Sequence, residues 1–187
     1  MNAWHDVSPD RITPESFLAL IEISKASKNK YELDKSTGLL ILDRVLFTST
    51  HYPQNYGFIP RTYCKDYDPL DVLVLCSESI LPMALVECLP IGVLIMKDGG
   101  LSDEKIVAVA KNDPFYSQYK DISEIPNHAM EEIKHFFKVY KNLEDKVTDI
   151  KEVRGAQEAK RVIQDAIEAY KKEIEPVIKA ERKARGY

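Results

Sequence analysis

The sequence predicts an α+β, mainly β fold: a β-barrel with helices packed outside it. Three observations carry this expectation. The first two thirds of the chain is cut into short Val-, Ile- and Leu-rich runs bounded by Gly, Pro, Asp or Asn, as strands are. The last third changes to a spacing of three and four, the period of one helix face. No internal repeat or low-complexity tract intervenes, so strands followed by helices read as one layered unit. At 187 residues, against a prior of roughly 150 per domain, one domain is expected over 1–187, with residues 1–15 as an N-terminal arm and 155–187 as a C-terminal helix and charged tail.

Taken in order, residues 31–40 read as a hairpin, because Asp34 to Gly38 supply turn residues with apolar positions beyond them. The runs Leu39–Leu42, Val72–Cys76, Val93–Met96 and Ile106–Ala110 are expected strands. From Pro126, which a first helical turn tolerates, Met130, Ile133, Phe137 and Tyr140 mark one helix face. A second, longer helix starts near Gly155, with Ala159, Ile163, Ala166, Ile167, Tyr170 and Ile174 on its stripe. Pro176 should kink or end that helix, and the basic tail 178–187 should extend it into solvent.

Composition excludes several function classes. With 44% hydrophobic and 30% charged residues the chain can build a core and is neither disordered nor fibrous. A formal charge of -4 argues against a protein that binds nucleic acid through a general basic surface. The most apolar stretch, 80–96, is interrupted by Pro82, Glu87 and Pro90, too broken to span about 30 Å of hydrocarbon. The first ten residues carry no basic segment followed by an apolar one, so no secretory signal is expected and the cytoplasm is the default compartment. Cys64, Cys76 and Cys88 form no CxxC pair and are expected as reduced, inert thiols.

The densest chemical signal is Asp66-Tyr67-Asp68-Pro69-Leu70-Asp71, directly before an apolar run. Three carboxylates in six residues repel one another unless solvent or cations separate them, and hard divalent cations prefer such oxygen ligands. An EF-hand loop begun at Asp66 would need Gly sixth and Glu twelfth, where Asp71 and Ser77 stand. A nucleophilic-aspartate phosphotransferase would place its acids at the end of an apolar strand, whereas here the strand follows them. A second group, 97–105, lies between two apolar runs, and the flexible Gly99-Gly100 lets Asp98 and Asp103 converge near Lys105. A third comprises Glu22, Lys30, Glu32, Arg44, Tyr56, Tyr140 and Lys141; Lys30 and Glu32, two apart on a strand, share a face. Each feature alone also suits a solvated loop or a surface ion pair, and His51 alone reads as structural.

In sequence and order, the segments 21–23, 30–34, 42–44, 52–58, 66–72, 98–105 and 136–141 resemble the family I soluble inorganic pyrophosphatases. The resemblance spans most of the chain, from Ile21 to about Lys141. It implies a small five-stranded OB-type β-barrel with peripheral helices, including a long C-terminal one. It implies hydrolysis of pyrophosphate to two orthophosphates by a metal-activated water, without a covalent intermediate. Asp66, Asp71 and Asp103 would hold metal, with Asp98 joining Asp103 on a metal that arrives with substrate. Asp68 would accept the proton from water, and Tyr56 would support the site. Lys30, Arg44, Tyr56, Lys105, Tyr140 and Lys141 would contact phosphates, while Glu22 and Glu32 would form the outer shell. The cofactor implied is Mg²⁺, three to four ions with substrate, with Mn²⁺ or Zn²⁺ as substitutes. The resemblance also implies a homo-oligomer, with a hexamer favoured, and no nucleic-acid or membrane partner.

Two departures stand out. Tyr67 occupies a place where family members commonly carry a small residue, and Val139 stands where many bacterial hexameric members have a second histidine after His135. Seven carboxylates against four cations in the implied site account for most of the net charge of -4. Ionised pyrophosphate would add about four more negative charges, an excess that three to four divalent ions would offset. Two other functions fit the same residues: an OB-type barrel stacking single-stranded nucleic acid on Tyr52, Tyr56 and Phe58, and a phosphohydrolase of longer polyphosphates or nucleotides.

Overall fold

The segment Phe17–Ile23 is buried along its whole length and forms β1, which pairs antiparallel with two different strands. In the computed structural model, which describes residues 2–98, 101–184 and 186 (the side chains of 97, 98, 101, 102 and 149 excepted), seven further strands follow. These are β2 (Asn29–Leu33), β3 (Leu40–Val45), β4 (Asn55–Phe58), β5 (Asp71–Leu75), β6 (Leu85–Asp98), β7 (Leu101–Ala110) and β8 (Thr148–Gly155). The helices are α1 (Ala3–Asp6), α2 (Asn127–Val139), α3 (Ala156–Ala169) and α4 (Glu175–Ala184).

The pairings close on themselves. β1 pairs β4, β4 pairs β5, β5 runs parallel to β7, β7 pairs β6, and β6 returns to β1, with β8 added on β6. The strands β2 and β3 form a separate hairpin. Alternation then sorts the side chains. Val72, Val74, Ile106 and Ala108 pack with Ile163, Ala166 and Ile167 of α3, while Leu73, Leu75, Val107 and Val109 pack with Ile133, Phe136 and Phe137 of α2. Asp71 and Lys105 are register partners in the β5–β7 pair and continue the second face, so the α2 side of the sheet carries the polar site at its end. Gly57 allows β4 to lie against β1: a Cβ there would sit 1.8 Å from the Leu20 carbonyl oxygen.

The expected hairpin forms. Gly38 takes φ +74°, its N–H donates to the Asp34 carbonyl at 2.8 Å, and the Asp34 carboxylate accepts from Ser36 N–H and Thr37 Oγ1. The four expected strand runs fall in β3, β5, β6 and β7, and both expected helices are present, with Pro126 and Gly155 as their N-caps. The cysteines are free, and burial pushes their thiols up, Cys88 being fully buried.

Pro176 does not end the helix. A wide π-helical turn, Tyr170–Ile174, precedes it, and the chain stays helical to Ala184. Proline needs room at the carbonyl four residues back, here Lys172, which lies inside that wide turn. The arm before β1 is anchored as well: Trp4 is buried and donates its indole N–H to the Thr62 carbonyl at 2.9 Å, and Asp6 pairs with Arg182 of α4.

Candidate active site

One cleft of about 330 Å³ is lined by every expected site residue whose side chain is described except Arg44. Its centre is Lys105, only 3% exposed, whose Nζ donates to Asp71 Oδ2 at 2.6 Å, Asp103 Oδ1 at 2.9 Å and Tyr56 Oη at 3.0 Å. The parallel register makes this meeting unavoidable, since β5 sets Asp71 beside Lys105 and alternation on β7 turns Asp103 to the same face. Burial opposes the charge on Lys105, but Asp71, with Asp103, outweighs it and holds the ammonium well above its ordinary range. Tyr56 Oη donates to Asp71 Oδ2 at 2.6 Å, and burial keeps the phenol neutral.

Around this centre, carboxylates are crowded. Glu22 on β1 accepts the Leu33 N–H at 2.8 Å, and burial, followed by the charge of Asp71, pushes it up to about 8. Burial also pushes Asp66 up, aided by Asp71, Asp68 and Asp103 and opposed by the Asp68 N–H that it accepts at 3.2 Å. Asp68 lies exposed at the loop tip, ion-paired with Lys35.

On the hairpin, Lys30 pairs with Glu32, as their shared face implied, and with Asp43 at 3.1 Å. Arg44 is the cross-strand partner of Lys30 but lies outside the cleft lining, held by Asp43 and by Glu144 Oε1 at 3.0 Å. Tyr140 caps α2, stacked on Phe136, and the Lys141 ammonium sits 5.3 Å from its ring. The Asp98 side chain and the Gly99-Gly100 pair lie outside the described residues.

Two cleft residues escaped the sequence reading, Trp4 and Lys35. Lys35 sits inside a stretch read only as a turn. Trp4 is the single tryptophan of the chain and precedes every expected strand; its large apolar ring was the one hint that the arm must dock somewhere.

The donor set fits hard divalent cations. All candidate ligands are carboxylate oxygens, and burial first, then the neighbouring carboxylates, pushes Glu22 and Asp66 up. Among the described residues no three such groups already close on one point; Asp71 and Asp103 meet at the Lys105 ammonium instead.

Comparison with known proteins agrees with this geometry. The family described as inorganic pyrophosphatase matches residues 19–171. Soluble inorganic pyrophosphatase 2 of Chlamydomonas reinhardtii is 47% identical over 173 residues, 92% of this chain and 90% of that protein. Soluble inorganic pyrophosphatase PPA1 of Solanum tuberosum is 47% identical over 89% of this chain and 79% of its own length. The crystal structure of inorganic pyrophosphatase from Thermus thermophilus superposes with a TM-score of 0.84 at 35% identity, over 91% of this chain and 99% of that one. The Helicobacter pylori inorganic pyrophosphatase gives 0.83 at 42% identity, over 86% and 96%. With its cleft chemistry and these matches together, the chain belongs to the family I soluble inorganic pyrophosphatases.

Proposed function

We propose that this chain hydrolyses inorganic pyrophosphate to two orthophosphates by direct attack of an activated water, with no covalent intermediate. Family membership makes it an enzyme, an inorganic diphosphatase acting on a phosphoric anhydride. The observation that carries the mechanism is the cluster of Tyr56, Asp71 and Asp103 around the buried Lys105 ammonium in an acidic cleft. Mg²⁺ ions, three to four with substrate and replaceable by Mn²⁺ or Zn²⁺, held by Asp66, Asp71, Asp98 and Asp103, would lower the pKa of water from about 15.7 toward ~7 and neutralise phosphate oxygens.

The chain's own groups do the rest. Asp68, exposed toward the cleft, accepts the proton as the water oxygen bonds to phosphorus and the bridging P–O bond breaks toward the departing phosphate. Lys30, Lys105, Lys141 and the neutral phenols of Tyr56 and Tyr140 receive phosphate oxygens, and Arg44 serves from the margin beside Lys30. Glu22 and Glu32 order the surrounding shell.

The closed circuit of strand pairings supports an OB-type five-stranded barrel with α2 and α3 outside, within one domain over 1–187. The acidic cleft disfavours nucleic acid, and no described helix is long and apolar enough to cross a membrane. A cytoplasmic homo-oligomer, with a hexamer favoured, completes the reading.

Phosphate release from pyrophosphate, tripolyphosphate and ATP, with Mg²⁺ and then with chelator, tests it. Turnover is expected on pyrophosphate first and should vanish on chelation. No Mg²⁺-dependent turnover by folded protein would overturn the proposal.

A further inference from the structure

We propose that the N-terminal turn completes the active site: Trp4 and Lys35 are positioning residues that aim Asp68 into the cleft. This rests on the reading of Asp68 as the proton acceptor.

Asp71 and Asp103 owe their placement to strands, but Asp68 stands in the loop before β5 with its side chain 55% exposed. The residue before it, Tyr67, has φ +70°, a left-handed conformation costly for any side chain but glycine's. Such a turn keeps one orientation only if something outside it holds it. Two backbone bonds tie it internally, Cys64 N–H to the Asp68 carbonyl at 2.9 Å and Tyr67 N–H to the Cys64 carbonyl at 3.1 Å. The external hold is Lys35. Its Nζ donates to the Tyr67 carbonyl at 3.3 Å and pairs with Asp68 Oδ1, which leaves Oδ2 open to take a proton.

Lys35 is fixed in turn by the arm. Its ammonium lies 5.4 Å from the Trp4 ring centroid, within reach of a cation–π contact, and its main-chain carbonyl accepts from Asn2 Nδ2 at 2.8 Å. Trp4 has little freedom: its indole N–H is held by Thr62, its carbonyl accepts from Arg61 N–H at 2.9 Å, and its ring stacks on His5 at 4.6 Å. Trp4 lies outside the segment 19–171 that matches the family, yet it lines the same cleft as the carboxylates. The tether is therefore built partly from chain that the family match does not cover.

Steady-state kinetics on pyrophosphate with saturating Mg²⁺ provide the test. Lys35→Met, at a half-exposed position that folding tolerates, is expected to lower kcat on the order of tenfold, with KM within about twofold, because a misaimed base slows chemistry more than binding. Lys35→Arg should recover most of the rate, since a guanidinium also stacks on Trp4 and reaches a carboxylate. Trp4→Phe should fall between them.

The decisive arm is the pair Lys35→Met with Asp68→Asn. If Lys35 acts through Asp68, adding Lys35→Met to Asp68→Asn changes kcat by less than about twofold. Effects that multiply would overturn the proposal, as would an unchanged kcat in Lys35→Met alone. If Asp68→Asn itself keeps the wild-type rate, the reading of Asp68 falls instead, and that result is distinct from a silent Lys35→Met beside a crippled Asp68→Asn.

Discussion

On the β5–β7 side of the cleft, Asp71 and Lys105 are register partners and Asp103 follows by alternation, so three functional groups are placed by the same hydrogen bonds that make the sheet. On the loop side, in the segment that leads into β5, Asp68 sits exposed beside a strained Tyr67, steadied by Lys35 from the hairpin turn and by Trp4 from the arm. On the strand side Lys105 and Tyr56 are buried, and Asp71 and Asp103 lie partly covered beside them. Asp68, the proposed proton acceptor, has no strand to place it and is held by the Lys35 contact instead. Placement by strands avoids an ordering cost when charge develops, whereas a loop carboxylate depends on side-chain contacts to keep its aim.

The contrast is sharpest in stability. Lys105→Met strips the cation from between Asp71 and Asp103 and should destabilise the metal-free protein by about 3–5 kcal/mol, the usual cost of breaking a buried pair. Lys35→Met, which breaks an exposed pair, should cost under about 1 kcal/mol. Urea unfolding in chelator measures both, and equal losses would erase the distinction between the two sides.

An effect smaller per pH unit follows from Glu22. Its folded value of about 8 exceeds its ordinary 4.5, so between those values the folded chain keeps a proton that the unfolded chain releases. Stability should then fall as pH rises across that window, by at most about 1.4 kcal/mol per unit. Glu22→Gln should flatten the slope in chelator. Parallel profiles for wild type and Glu22→Gln would show that the buried side does not hold this proton.

Smallest is Tyr67→Gly, which relieves a left-handed residue on the loop side and should raise stability by about 0.5 kcal/mol after the entropy of the added glycine is counted. A lower melting temperature would mean that the ring contact between Tyr63 and Tyr67, at 6.4 Å, outweighs the strain.

How much of this was legible in the sequence follows the same division. The runs at 72–76 and 106–110 could be read because β-branched residues stand between breakers, and they bring Asp71 and Lys105 with them. The strand β1 was not singled out because burial along its whole length removes the alternation that marks a half-buried strand. The strand β4 hid among turn formers because close approach to β1 demands Gly57, and β8, mostly polar, pairs with β6 alone. Within the site, the acids and lysines were visible through order and spacing. Trp4 and Lys35 were not, because their link to Asp68 is made only when the arm and the hairpin turn fold onto the loop.

The division of labour between the two sides is tested most directly by Asp68→Asn, with Mg²⁺ binding by calorimetry and turnover of pyrophosphate measured on the same preparation. The expected result is Mg²⁺ affinity within about twofold of wild type and kcat lower by at least about a hundredfold, the scale of a lost general base. A rate close to wild type, or a loss of metal binding in step with the rate, would contradict it.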